Sequence, residues 1–350
     1  MSCTTRNTVH DIGNSITHHA SLLKIKDLGN NCWLCQVTNP FEAETQYLLV
    51  PAELSFDEQQ ARHTYGEFTL LRTPLTNNAL TASCHGYLLE QLGALTSIGA
   101  FCDAEYVTYR PVKEAIAEGK IANGGSSSMP NIETILAHSS NAIWISPFEN
   151  ATTTSLDALH MPVVSCADYL EISPLARAEW MKFYGRLVGK ASQADSLFAV
   201  VETRYNALKH SVSANNSSKP IVLAETPYGA TWYVAGGQST MGIMYADAGY
   251  DYPWANDTHS GSIALSPETV LNEAQQADIW FVKYFATTNL TLQEFLAQNS
   301  FFGEFKAAQQ GNVYGCNTSA SDYFDATPFR PDILLDALKK PGSCYFEKLH

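Results

Sequence analysis

The stretch Ala191–His210 reads ASQADSLFAVVETRYNALKH, and its spacing decides how the chain divides. Ala194, Leu197, Phe198, Val201, Tyr205 and Leu208 recur at steps of three and four, which puts them on one face of a helix. At 1.5 Å per residue such a run is about 30 Å long, the width of a small domain. The run after it, Ser211 to Pro220 (SVSANNSSKP), has no periodicity and is rich in turn formers, and the strand-like Ile221-Val222-Leu223 begins directly beyond. A long helix feeding a fresh strand suits a connector between two lobes. One more packed helix inside a single domain would show the same spacing.

The flanks favour two lobes. Before the helix stands Ile132-Glu133-Thr134-Ile135-Leu136 and then Ala142-Ile143-Trp144-Ile145; after it stand Pro267-Glu268-Thr269-Val270-Leu271 and then Asp278-Ile279-Trp280-Phe281. In both copies a proline (Pro130, Pro267) lies just ahead of the glutamate, as suits a first helical turn, and a short apolar helix leads to an Ile-Trp strand. The same motif on either side of one long helix predicts two similar α/β lobes.

A chain of 350 residues has room for two domains with substantial cores. Charged residues make up 16% and hydrophobic residues 45%, a globular composition with a muted surface charge. The formal net charge is −14 and no lysine or arginine cluster occurs, which disfavours nucleic acid and anionic membrane as partners. No apolar run approaches the roughly 20 residues of a membrane span, and no signal peptide opens the chain.

The 8 cysteines are too sparse for a disulfide scaffold. Cys32 and Cys35 form a C-x-x-C inside a predicted strand, where residues three apart point to opposite faces and no helix lowers a thiolate pKa, so a redox role is not expected. Cys3 precedes a polar, loose stretch, where a bacterial lipoprotein carries its lipid; an accidental cysteine reads equally well.

Residues 1–20 show no pattern and are expected to form a flexible tether. Residues 21–28, 32–37 and 46–50 read as short strands of an antiparallel layer, followed by a strand over 68–74, a polar loop over 76–83 and a helix over 87–92. Strands and helices then alternate in both halves, as in mostly parallel sheets. Loops at the C-terminal ends of such strands are where ligands tend to sit. These loops supply the candidate binding residues: Ser83, His85, Tyr106, Ser127, Phe148, Glu149 and Tyr169 in the first half, and Tyr228, Trp232, Tyr233, Gln238, Trp254 and His259 in the second. Any one of the aromatics also reads as core, but most lie in or beside turn-rich loops, which tilts the set toward a cleft wall.

Signatures for catalysis are missing. The 10 histidines never pair at helical spacing, so no zinc site is expected, and neither glycine-rich nucleotide motif occurs. Gly237-Gln238-Ser239-Thr240-Met241-Gly242 resembles a nucleophile elbow but has one residue too many before its last glycine. Glu133 and Glu268 each read as a first-turn glutamate favoured by the helix dipole. Their matched placement also suits two negative points meeting two positive points on a partner.

The run DYLEISPLARAEW with KFYG, the paired motif, WYVAGG, DAG at Asp247–Gly249 and ADIW at Ala277–Trp280 resemble the substrate-binding proteins of ABC importers for iron-siderophore, haem and cobalamin. The resemblance spans roughly Glu67 to Leu338 and is nearest to class III envelope lipoproteins of Bacteroidetes-type bacteria. It implies two Rossmann-like α/β lobes with mostly parallel sheets, joined by a single long helix with a ligand cleft between, and slight closure on ligand. It also implies that Glu133 and Glu268 dock onto permease arginines. The cleft loops lack the arginine cluster of a receptor for triply anionic chelates, and no His or Tyr pair for haem is evident.

The expected organisation is therefore a tether over 1–20, an N-terminal lobe over 21–190, a linking helix over 191–215 and a C-terminal lobe over 216–350. The expected function is capture of a metal chelate (siderophore, haem or corrinoid) and its delivery to an ABC permease. The protein is expected to be a monomer in the periplasm or envelope, lipid-anchored through Cys3, with no cofactor, resident metal, catalytic residue or nucleic-acid partner. The alternatives are a chelatase-like enzyme using His85, Glu149 and His259, and a scavenging lipoprotein that works without a permease.

Overall fold

The computed structural model describes residues 14–41, 44–138, 141–148, 161–211 and 219–350. The chain forms two compact α/β units. The first takes in Met1–Val107, Pro111–Glu171 and Glu179–Ser196; the second takes in Thr108–Arg110, Ile172–Ala178 and Leu197–His350. A helix forms over Ala191–His210, the span its periodicity predicts, and the division between units falls inside it. Ala194, Phe198, Val201 and Tyr205 are buried along one face, while Leu197 and Leu208 are only partly covered.

The first unit opens with the strands Leu23–Gly29, Cys32–Val37 and Thr45–Pro51, paired antiparallel, with Thr69–Thr73 added parallel at the edge. Asn30 and Asn31 take the left-handed conformation in the tight turn between the first two strands, which asparagine tolerates better than most residues. The main sheet is wholly parallel, in the order Val163–Ser165, Ile143–Ile145, Asn78–Leu80, Ile98–Phe101, Ala122–Asn123. Three of these strands escape the sequence reading, the two-residue Ala122–Asn123 among them. Asn78–Leu80 lies within the predicted polar loop, yet it is fully buried, with Asn78 Nδ2 donating to Ser97 O at 3.0 Å, and the following helix starts at Ser83 rather than Tyr87. Its neighbour Ile98–Phe101 is buried throughout, so it shows no alternation.

In the second unit Val222–Ala224, Ile279–Tyr284 and Val313–Asn317 run parallel, and Glu347–Lys348 closes one edge antiparallel. A hairpin of Trp232–Ala235 with Ser262–Leu265 stands beside them. The mixed α/β architecture with mainly parallel sheets is the class expected. Among the described residues no helix is long and apolar enough to cross a membrane.

The duplicated motif folds the same way in each unit. Asn131 caps Ile132–Ala137 by accepting from Thr134 N, and Ser266 caps Pro267–Ala274 by accepting from Thr269 N. Pro267 is the first helical residue as predicted, whereas Pro130 stays outside its helix in a two-residue strand. Each helix leads to a strand whose tryptophan anchors an aromatic core. Trp144 stacks on Tyr184 at 5.1 Å in the first unit; Trp280 packs against Phe305 at 4.8 Å and Phe295 at 5.0 Å in the second.

The predicted tether ends earlier than residue 20. Ile16 N donates to Ile25 O at 2.8 Å, and the buried Glu179 carboxylate accepts from the backbone N–H groups of His18, His19 and Ala20 at 2.7–3.0 Å. Glu171 does the same for Ser21 and Leu22 and accepts from Trp180 Nε1. Burial alone would raise the Glu179 pKa, but Lys182 and these N–H donors outweigh it and hold the carboxyl below its ordinary value of 4.5. A lowered native pKa means the clamp is at full strength above pH 4.5 and fades as pH falls from there through the native value. Hydrogen exchange at residues 16–25 should accelerate selectively in that acid window, and Glu179→Gln should accelerate it at pH 7, with about 2 kcal/mol lost. Unchanged exchange in the variant would refute the clamp.

Candidate functional site

In the second unit two cavities lie at the C-terminal ends of the parallel strands, where open α/β sheets take their ligands. One is about 270 Å³ and the other about 300 Å³, and both are lined by Met241 and Lys283. Strand Val222–Ala224 delivers Glu225 and strand Ile279–Tyr284 delivers Lys283, in register through Ala224 opposite Phe281. Helix Thr240–Ala248, capped by Ser239, contributes Met241, Met244 and Tyr245. The hairpin strand Trp232–Ala235 turns Tyr233 into the 300 Å³ cavity.

Glu225 is held at φ +63°, a left-handed conformation unfavourable for a glutamate. Two contacts enforce it: Glu225 N donates to Phe281 O at 2.9 Å, and Trp280 Nε1 donates to Glu225 O at 2.8 Å. The carboxylate meets the Lys283 ammonium in a direct ion pair, and that ammonium lies 5.6 Å from the centre of the Tyr323 ring. Burial opposes the charge on Lys283, but Tyr323 and Glu225 beside it more than compensate and keep it protonated above the ordinary lysine range. Burial, with the Glu225 carboxylate nearby, pushes Tyr245 well above the usual tyrosine range, so its hydroxyl stays neutral.

Three of the predicted binding residues are core instead. Trp232 is 0% exposed, stacks on Trp280 at 5.8 Å and donates Nε1 to Ala224 O. Trp254 is 7% exposed, with its ring against Tyr252 and its Nε1 on Glu273. His85, 0% exposed, sits against Tyr184 with Nε2 3.1 Å from Asp168 Oδ1. Each carries a polar atom that the interior satisfies, so a polar, turn-rich sequence neighbourhood misplaces it at the surface.

Tyr106, Phe148, Tyr169, Tyr228 and Tyr233 present aromatic surface, from 38% exposed at Tyr169 to 84% at Tyr228. In the first unit Tyr169 donates its hydroxyl to Pro147 O, next to Phe148, at the end of strand Ile143–Ile145. Ser83 starts the helix Ser83–Gln91, and Ser127 lies between the short strands Gly125–Ser126 and Met129–Pro130. In the second unit Gln238 is exposed, and His259 pairs with Asp257 at 3.0 Å on the surface. Of the predicted residues, Tyr233 lines the 300 Å³ cavity; the charged lining residues Lys283, Glu225 and Arg177 were not anticipated. A lone lysine near the C-terminal end of an apolar strand is the signal that marks one of them. Glu149 and Cys3 lie outside the described residues.

Glu133 and Glu268 are each the exposed second residue of a capped helix. The Glu268 carboxyl is held below its ordinary value by its own backbone N–H and the Ser266 hydroxyl. Ser239, the middle of the elbow-like run, is the N-cap of its helix: it accepts from Gly242 N at 3.1 Å and donates to Gly236 O at 2.7 Å. Cys35 is enclosed, and burial raises its thiol far above the ordinary cysteine range.

Among the described residues one group has the chemistry of metal ligands. Cys84, His85 and Asp168 offer donor atoms within 4.8 Å of one another, all buried. Asp168 Oδ1 also accepts from Tyr184 OH at 2.7 Å, so a hydrogen-bond network among packed rings already accounts for these groups.

A family model described as periplasmic binding protein matches residues 87–320. An uncharacterized lipoprotein of Methanocaldococcus jannaschii is 28% identical over 283 residues, 77% of this chain and 66% of its own length. The chain thus spans just under two thirds of that relative. A periplasmic heme-binding protein from Roseiflexus sp. RS-1 superposes with a TM-score of 0.58 at 18% identity, covering 76% of this chain and 98% of its own. A protein of the ABC-type Fe3+-hydroxamate transport system from Saccharomonospora viridis gives 0.58 at 17%, covering 76% and 92%. Those two likenesses establish the two-lobe fold, and the family model covers most of the chain. The chain belongs to the periplasmic binding protein family, with the fold of the haem and siderophore importers' substrate-binding proteins.

Proposed function

We propose that this protein is the substrate-binding component of an ABC importer, which captures an iron chelate, haem or a related corrinoid in the envelope and delivers it to a permease. The observation that carries the reading is the pair of cavities at the strand ends of the second unit, with methionine, tyrosine and one ion-paired lysine on their walls. Family membership and the names of the structural neighbours support it. In this reading the N-terminal lobe runs over 21–190 and the C-terminal lobe over 216–350. Helix Ala191–His210 is the stiff link, Tyr106, Phe148, Tyr169, Tyr228 and Tyr233 offer stacking surface, and Glu133 and Glu268 dock on the permease. Cys3 is the lipid attachment point.

Titration of the purified protein with haem, ferric siderophores and cobalamin tests this reading. Saturable binding of one class with a dissociation constant of about 1 μM or tighter is expected. Binding of none would overturn it.

A further inference from the structure

The two cavities differ in their charge. The 270 Å³ cavity is walled by apolar side chains, among them Met244, Phe324 and Leu334; its charged lining residues are Arg177 and Lys283, and no carboxylate lines it. The 300 Å³ cavity holds Glu225, whose carboxylate rests on Lys283. Lys283 therefore faces its internal counter-ion on one side and an apolar chamber bordered by a second cation on the other. An ammonium has three N–H donors, and Glu225 takes one of them. A left-handed Glu225, fixed by Phe281 O and Trp280 Nε1, is local strain retained beside a cavity, where strain commonly has a use. Here it aims a carboxylate at the one lysine both cavities share.

We infer that Lys283 recognises an anionic group of the ligand, and that Glu225 is its resident competitor, so the chelate taken up carries one or two carboxylates on an apolar body. This inference rests on the binding reading above. The ligand's apolar face lies along the methionines and Phe324, and its acid group reaches Lys283 from the 270 Å³ cavity. Glu225 keeps the ammonium compensated in the empty site, and it sets a threshold, since a neutral chelate gains nothing at Lys283 that the protein does not already supply. In a chain of net charge −14, an anionic ligand needs such a local cation at its end point.

The test compares haem with its dimethyl ester, and ferric dicitrate with a neutral ferric trihydroxamate, on wild type, Lys283→Met and Glu225→Gln. Wild type should prefer the acid over its neutral counterpart in the pair it binds. Lys283→Met should cut affinity for the acid by roughly 30-fold and erase that preference. Glu225→Gln, close to isosteric, should instead raise affinity for the acid severalfold, an opposite sign that damage to the fold would not produce. Equal binding of acid and neutral forms by wild type, or a preference that survives Lys283→Met, overturns this inference and leaves the transport reading standing. Binding of none of the four probes overturns this inference, and failure to bind cobalamin as well overturns the transport reading.

Discussion

Replacing Glu133 and Glu268 together with alanine is expected to reduce uptake to about a tenth of wild type or less, with ligand affinity and melting temperature unchanged. Each carboxylate is exposed at the second position of its helix, and neither is needed to close the helix end. Asn131 already serves Thr134 N, and Ser266 already serves Thr269 N. Removing an exposed glutamate near a helix N-terminus forfeits only a few tenths of a kcal/mol of dipole stabilisation. A transport defect in the double variant would therefore be a docking defect. The carboxyl of Glu268, held below 4.5, remains ionised across the physiological range, as a partner for an arginine must. The check is uptake in cells beside titration and thermal melting of the purified variant. Retained uptake would reduce both residues to helix-end glutamates. Each single variant should fall between wild type and the double, because a two-point contact loses orientation as well as attraction when one point is removed.

The repeat was the most legible part of the molecule because each copy joins local signals that agree: a capping residue, a glutamate, a threonine at N3, then an Ile-Trp strand. Helix Ala191–His210 was legible for the same reason, since its apolar residues keep helical spacing over five turns' worth of chain without a proline or glycine. Strands Asn78–Leu80 and Ile98–Phe101 were not legible. They are short, covered on both faces and flanked by polar residues, so neither alternation nor a long apolar run announces them. The site was less legible than the fold. His85, Trp232 and Trp254 looked like wall residues because sequence places them beside turns, but the pairing of His85 Nε2, Trp232 Nε1 and Trp254 Nε1 is a three-dimensional fact involving Asp168, Ala224 and Glu273. Lys283 and Glu225 are 58 positions apart and meet only because their strands are parallel neighbours.

The largest loss of stability from a single added methyl group is expected at Gly237. A Cβ built there would lie 2.3 Å from Ala255 O and 2.6 Å from Asp257 O, both backbone atoms that no rotamer change can move aside. At Gly236 a Cβ would meet His259 O at 2.3 Å, and at Gly242 it would meet Gly236 O at the same distance. Gly236 and Gly237 let the turn after strand Trp232–Ala235 press against the loop over residues 250–261, where Gly236 N donates to Gly261 O and Gln238 N to His259 O, and Gly242 lets the following helix close on the turn itself. Overpacking of this kind costs about 3 kcal/mol, which for a unit of this size lowers the melting temperature by roughly 10 °C. Gly229→Ala is the control: it has φ +61° but no atom within 4 Å of the new carbon, so only the left-handed strain is charged, about 1 kcal/mol. The same turn joins the strand that carries Tyr233 to the helix that carries Met241, and both side chains line the 300 Å³ cavity. Gly237→Ala should therefore weaken ligand binding along with stability, whereas Gly229→Ala should leave the walls in place. Equal melting temperatures for the two variants would mean that the close backbone approach at Gly237 does not constrain the turn between Tyr233 and Met241.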